Sequence, residues 1–375
     1  MNRKKILFLS SWYPTPNNPT HGIFVKRHAE AVALLHDVYV LYVYGADEDS
    51  KEEKVVVSSA LTEHRMQFDR RKKSSFGKFR LQKSVYGQGL DRLLQAWGKP
   101  DIIHLNVIYP AGIFATLLSR KLKIPLVITE HWTGYLPEDG NYHGFAKKFF
   151  TRMCIRQSQA VCPVTAHLAH HMRCHGLSGN YHVVPNVVDT DFFTPSFQER
   201  SGEIIFMHLS SLDERQKNPC SVIEAFSSLS VLHPNIRLLF AGDGENFQTI
   251  RAHYSHPAIE FHFRPMGTEL QKLYQRCDAL VLNSRFENLP VVLLEAMSCG
   301  KPVISSAVGG IAEYVNEFNG ILFSPPDVSS LTAAMEKFLL LKNNFDAKRI
   351  RDFAVKNFSK YAIANAFDKV YSLIK

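Results

Sequence analysis

Residues 283–304, NSRFENLPVVLLEAMSCGKPVI, place Glu287 and Glu295 eight positions apart, around a proline and a run of aliphatic side chains. A buried carboxylate is costly unless something pairs with it, so both acids call for a reason. The stretch, with ALVLN just upstream, reads as strand, loop, helix and turn. Pro290 suits the first helical position, Gly300 the residue past the last turn, and Pro302 blocks continuation. A helix is therefore predicted to open near Leu289, with Glu287 just before it. Its first free amides, those of Val291 and Val292 among them, would form an anion site beyond the strand ends, where open parallel sheets bind ligands. Glu295 would lie about 7 Å farther along the axis, within reach of ribose hydroxyls when a diphosphate sits at the helix tip. Glu287 would address whatever that diphosphate carries. The spacing also accommodates a plainer pair: a first-turn acid and a buried ion pair.

Outward from this segment the chain keeps one rhythm. KILFLS, VYVLYVY, DIIHLN, PLVITEH, EIIFMHL, IRLLFAG, IEFHF, ALVLN and PVISS are short apolar runs separated by helix-length amphipathic stretches. Strands apolar on both faces and punctuated by helices imply parallel sheets covered on both sides, an α/β fold. At 375 residues two domains are expected, with a linker in the Pro-, Asn- and Asp-rich stretch 183–203. Hydrophobic content of 45% and charged content of 21% are those of a folded, soluble chain, and no apolar run is long enough to span a bilayer. The N-terminal KILFLS is too short for a signal peptide and ends near Pro14, so it reads as a first buried strand. Six cysteines without a C-x-x-C pair point to reduced thiols in the cytoplasm.

The net charge of +9 is uneven: residues 65–83 carry eight Lys/Arg and one acid, Asp69. This run reads either as a solvated, partly mobile segment or as a docking site for anionic lipid, with Phe68, Phe76 and Phe79 as interfacial anchors. No zinc-finger spacing, RNA-binding signature or recognition helix accompanies it, so no nucleic-acid partner is expected. In HLAHHMRCHG, His167/His171 and His170/Cys174 have an i,i+4 spacing, but nothing nearby completes a metal site. A solvated helix face is the expectation, with no metal ligands.

The 283–304 segment, together with GGIAEYV and NGILFSPPD, resembles the C-terminal signature of family-4 retaining glycosyltransferases, whose hallmark is E-x7-E. The resemblance runs over nearly the whole chain. It implies a GT-B fold: two Rossmann-like domains with parallel sheets facing a central cleft. Residues 1–188 would bind the acceptor, 189–357 the nucleotide sugar, and the helix in 358–375 would cross back to the first domain. In such enzymes the first acid contacts the donor sugar and the second the ribose. SSWYPTPNNPTHGIFVKRHAEAV resembles the loop whose glycine amide, here Gly22, approaches the donor phosphate, and VITEHWTGY the strand end whose histidine, here His131, reaches the reaction centre. FRPMGTELQKLYQRCDALVLNS, with Arg264 and Met266, corresponds to the segment passing the base. Tyr13, His21 and Trp132 are candidate acceptor contacts.

The sequence departs from the family where Arg and Lys jointly hold the diphosphate. In HLSSLDERQKNP, Lys217 falls at the lysine, but Ser211 occupies the arginine position. Arg215 is close enough to substitute, as a forked cation does well. Asn288 stands where glycine follows the first acid, and asparagine tolerates left-handed backbone angles. With Lys217, Arg215 and the amides of Asn288, Leu289, Val291 and Val292 available, and no D-x-D motif after a strand, transfer is expected to need no metal or other cofactor. The co-substrate would be a UDP- or GDP-sugar. The expected function is retaining transfer to a glycan or lipid-linked acceptor in surface polysaccharide synthesis, in the cytoplasm or on the inner face of its membrane. The alternatives are an epimerase-like enzyme of the same fold and an inactive scaffold.

Overall fold

The structure is a computed structural model that describes residues 3–71, 74–196 and 202–374. Lys72 and Lys73 of the basic run, and 197–201 of the expected linker, lie outside the described residues. The chain forms two compact units, one of Met1–Val187 with Lys360–Lys375 and one of Val188–Ser359.

In the first unit the elements are β1 (Lys5–Ser10), α1 (Ile23–Val32), β2 (Asp37–Ala46), β3 (Lys51–Ser58), β4 (Leu61–Asp69) and α2 (Ser75–Trp97). They continue as β5 (Ile102–Asn106), α3 (Gly112–Leu122), β6 (Leu126–Glu130), α4 (Phe145–Gln157), β7 (Ala160–Pro163) and α5 (Ala166–Cys174). The sheet order is β3-β4-β2-β1-β5-β6-β7, parallel except for the β3–β4 pair. β5, β6 and β7 are buried along their whole length, as strands covered by helices on both faces must be.

The antiparallel β3–β4 pair was not expected. β3, KEEKVVVS, is exposed at every position, and its charged first half suits an edge strand that must not recruit another chain. β4 corrects the reading of the basic run. Met66 and Phe68 are only 4% and 5% exposed, so Phe68 is a core residue and no membrane anchor. Arg65 pairs with Glu53 and Glu63, Arg70 with Asp47, and Arg71 with Asp49 and Asp69, which neutralises this half of the segment locally. Beyond it the chain is helix, capped by Ser74, whose hydroxyl accepts the Gly77 amide. There Phe76 and Phe79 are exposed.

The second unit holds β8 (Ile204–Ser210), α6 (Pro219–Leu232), β9 (Ile236–Gly242), α7 (Phe247–His253), β10 (Ile259–Phe263) and α8 (Gly267–Arg276). After these come β11 (Ala279–Leu282), α9 (Val291–Ser298), β12 (Val303–Ser306), β13 (Gly320–Phe323), α10 (Val328–Leu341) and α11 (Ala347–Phe358). Its sheet is wholly parallel, in the order β10-β9-β8-β11-β12-β13. The last helix, α12 (Lys360–Ser372), belongs to the first unit. Its Ile363, Phe367, Val370 and Tyr371 join Val25 and Ala29 of α1 in one core. No described helix is long and apolar enough to cross a membrane.

Each unit buries an imidazole. His28 on α1 and His208 on β8 are fully buried, and burial lowers both to about 4 from the usual 6.5. The unfolded chain takes up these protons below about pH 6.5, whereas the folded chain refuses them until about pH 4. Stability is therefore full above pH 6.5 and falls as the pH drops toward 4, each histidine accounting for about 3 kcal/mol at the lower end. Urea midpoints measured from pH 7 to pH 4.5 should fall steadily, and His28→Gln should flatten the slope.

Candidate functional site

The second unit gathers its polar residues at the carboxyl ends of β8 and β11. The loop after β8 brings Lys217 against Glu287, and Lys217 Nζ forms an ion pair with Glu287 Oε1. Glu287 is 5% exposed, so this partner and its hydrogen bonds are what make its burial tolerable. Ser284 Oγ donates to Oε1 at 2.9 Å and Gln216 Nε2 to Oε2 at 3.4 Å. The loop itself is tied down: Arg285 N donates to Gln216 O at 2.8 Å, and Ser306 Oγ to Ser284 O at 2.6 Å.

Glycine is required at one place in this loop. Gly309 lies at φ +56°, and a Cβ there would collide with the Glu287 backbone carbonyl. The next amide, Gly310 N, donates to Asn288 O at 3.0 Å. The close approach of this Gly-Gly turn positions Glu287. Asn288, by contrast, is absent from the left-handed residues, so the backbone tolerance expected of it is not used.

α9 begins at Val291, two residues later than expected, with Pro290 as its cap residue. No side chain caps it, and its leading amides at Val291 and Val292 have no carbonyl a turn earlier. Both residues are half-buried, while Asn288 and Leu289 are buried. Glu295 is 4% exposed and receives a hydrogen bond of 2.8 Å from the fully buried Tyr274 hydroxyl. Burial first, then the nearby carboxylate, holds the phenol well above its usual pKa, so it remains a donor. Tyr274→Phe should cost about 2 kcal/mol, the worth of a hydrogen bond to a charged group. A lower urea midpoint with an unchanged m-value would be the expected outcome.

The other expected donor residues are more peripheral. Arg215 is exposed, its amide bonded to Asp213 at 2.9 Å and its guanidinium 5.8 Å from the Phe286 ring centre. Arg264, in the left-handed region at φ 47°, lies 3.7 Å from Asp243, and Met266 is 46% exposed. Gln216, Ser284 and Tyr274 were not foreseen, because single polar residues carry no spacing signal.

In the first unit Gly22 starts α1 at φ 68°, and a Cβ there would approach Trp12 C to 2.6 Å. His131 follows β6 and is 7% exposed, packed on Phe24 at 4.4 Å and His28 at 5.2 Å between ring centres. Burial, then the neighbouring His28, lowers it well below 6.5, so its imidazole is neutral. Glu130, another residue the sequence did not single out, fastens this loop. Its carboxylate accepts the amides of Ile108, His131 and Trp132 and the Tyr135 hydroxyl, at 2.9–3.2 Å. Tyr13 is corrected: its ring is fully buried and its hydroxyl donates to Glu63 at 2.8 Å, so it faces the core. His21 is exposed and Trp132 half-buried, with Lys147 Nζ 4.8 Å from a Trp132 ring centre. In α5, His167 and His171 lie 3.3 Å apart, His170 and Cys174 3.5 Å.

Residues 22–192 match the family model Glycosyltransferase Family 4, and residues 189–356 the model Glycosyl transferases group 1. Glycogen synthase of Mycobacterium tuberculosis is 28% identical over 308 residues, 76% of this chain and 71% of its own. Sucrose-phosphate synthase from Thermosynechococcus elongatus has a similar structure, with a TM-score of 0.80 at 18% identity over 99% of both chains. HepE of Anabaena, in complex with UDP and glucose, has a TM-score of 0.74 at 17% identity, over 99% of this chain and 100% of its own.

Proposed function

Because the chain belongs to the group 1 glycosyl transferases of family 4, enzymes of the GT-B fold, we propose that it moves a sugar from a nucleotide-sugar donor to a glycan or lipid-linked acceptor of surface polysaccharide, with retention and without a metal. The observation that carries this reading is the Lys217–Glu287 pair beside the uncapped amino end of α9. Departure of a nucleoside diphosphate builds negative charge, which Lys217, Arg215 and the amides of Val291 and Val292 can neutralise. A phosphate that engages Lys217 takes over the partner of Glu287 and leaves that carboxylate to accept hydroxyls of the transferred sugar. Glu295, oriented by Tyr274, takes the ribose. Arg264 and Met266 flank the base. His131, being neutral, hydrogen-bonds the sugar, and the donor phosphate accepts the proton of the acceptor hydroxyl.

Units Met1–Val187 with Lys360–Lys375 and Val188–Ser359 take the acceptor and donor roles respectively. HepE, of the same fold, binds UDP and glucose, which supports a UDP-sugar; GDP-sugars are the alternative. Calorimetry with UDP-glucose and GDP-mannose should show micromolar binding of one of them, unaffected by EDTA. Product NMR with an acceptor extract should then show the donor's anomeric configuration. An isomerised donor without product would favour the epimerase-like reading, and no donor binding the inactive scaffold.

The first turns of α2 support peripheral attachment to the cytoplasmic membrane face. Phe76 and Phe79 are 69% and 38% exposed there, beside Lys78, Arg80 and Lys83. Membrane affinity in cosedimentation with phosphatidylglycerol vesicles should drop at least thirtyfold, about 2 kcal/mol, in the Arg80→Glu/Lys83→Glu variant, since each basic residue near an anionic surface is worth about 1 kcal/mol.

A further inference from the structure

A cavity of about 160 Å³ opens in the first unit at the carboxyl ends of β1 and β2 and the loop after β5. β1 lies between β2 and β5, so this is where the strand order reverses and where open parallel sheets bind ligands. Among the described residues none of those lining the cavity is charged. Phosphate groups would find no counter-charge there.

The polar groups at hand are few. Ser10 Oγ is bonded to Trp12 O at 2.5 Å, and Ser11 Oγ donates to Val107 O at 2.8 Å while accepting Ala111 N at 2.9 Å. Both hydroxyls are therefore engaged. Tyr86, on α2, lines the cavity and is 7% exposed, and its hydroxyl finds no hydrogen-bond partner among the described residues. A buried hydroxyl left alone is unfavourable, so the position suits a group that arrives with a ligand. Phe114 stacks on the Tyr86 ring at 4.6 Å and fixes it. Gln82, one turn earlier on the same helix, adds an amide to the rim. Part of the lining is aromatic: Tyr44 stacks on Tyr42 with ring centres 5.1 Å apart and planes at 12°.

We propose that this cavity is a binding site for a neutral sugar ring of the acceptor, its hydroxyls received by Tyr86 and Gln82 and its C–H face packed on Tyr44. Aromatic faces suit the apolar side of a pyranose, and neutral donors suit its hydroxyls. The assignment rests on the transferase reading for the word acceptor, but the binding itself does not. It moves acceptor recognition from the buried Tyr13 to residues of β2 and α2.

Saturation-transfer NMR on the full chain tests it, with the methyl glycosides of glucose, galactose, mannose and N-acetylglucosamine as probes. At least one glycoside should show transfer, weakened about fivefold in both Tyr86→Phe and Gln82→Ala, with thermal unfolding unchanged. Tyr86→Phe removes only an unpartnered hydroxyl and keeps the stacked ring, so folding should not be at issue. No transfer from any of the four to the wild type, or transfer that survives both substitutions, would overturn the proposal. Calorimetry with UDP-glucose and GDP-mannose on the same samples reports separately on the transferase reading. Donor binding without glycoside binding rejects the cavity alone, and the reverse rejects the donor site alone.

Discussion

Lys217→Met should lower turnover by two to three orders of magnitude, the loss typical when one group that neutralises transition-state charge is removed. The reason begins with the ground state. Glu287 is buried, and Lys217 is its cationic partner, so the same substitution strands a carboxylate in a poorly hydrated place. Ser284 and Gln216 still bond to it, which limits the damage. A stability loss of about 3 kcal/mol is expected on those terms. The two effects separate in the double variant Lys217→Met/Glu287→Gln. With both charges gone, the amide can keep the serine hydrogen bond and most of the stability should return. Activity should not return if, as proposed, Lys217 neutralises the diphosphate and Glu287 holds the sugar. Urea unfolding alongside single-turnover kinetics would distinguish these. Recovery of turnover in the double variant would mean that Lys217 serves only to keep Glu287 folded.

Gly309→Ala should be at least as harmful while touching no ionisable group. Two causes act together. The residue sits at φ +56°, where an alanine pays roughly 1 kcal/mol. Its methyl would also collide with the carbonyl of Glu287, a backbone atom that cannot rotate aside. The turn or the acid-bearing loop must therefore shift. A destabilisation of about 4 kcal/mol places it among the exceptional single substitutions. If the fold survives, transfer should fall about a hundredfold, since displacement near 1 Å at a positioning loop has that scale of effect. Gly202→Ala, where an added methyl meets nothing within 4 Å, is the control and should be neutral.

These two expectations draw on information of different kinds. The acids at 287 and 295 were legible because Pro290, Gly300 and Pro302 bracket a helix, and bracketing is local chemistry. The parallel sheets were legible because runs such as DIIHLN are apolar on both faces. What could not be read depends on where a side chain turns. Tyr13 at a strand end looked like a ligand contact, yet its partner Glu63 lies on β4, 50 positions away. Tyr274 sits in an ordinary amphipathic helix, and only the packing of α8 brings its hydroxyl to Glu295. β3 and β4 escaped notice because the first is charged in its first half and exposed throughout, so no apolar period marks it. Phe68 followed from that omission, since without the strand its burial had no cause.

The placement of α12 has a consequence for synthesis. Domains ordinarily fold in the order they leave the ribosome. Here the stretch Val188–Ser359 contains all its own strands and helices and emerges before Lys360. The earlier stretch must wait: the face of α1 carrying Val25 and Ala29, and the ring of His104, meet Phe367 and Tyr371 only after α12 has left the ribosome. The polypeptide made first is thus finished last, and a transcript cut just before Lys360 would release a complete second unit attached to an unsealed first.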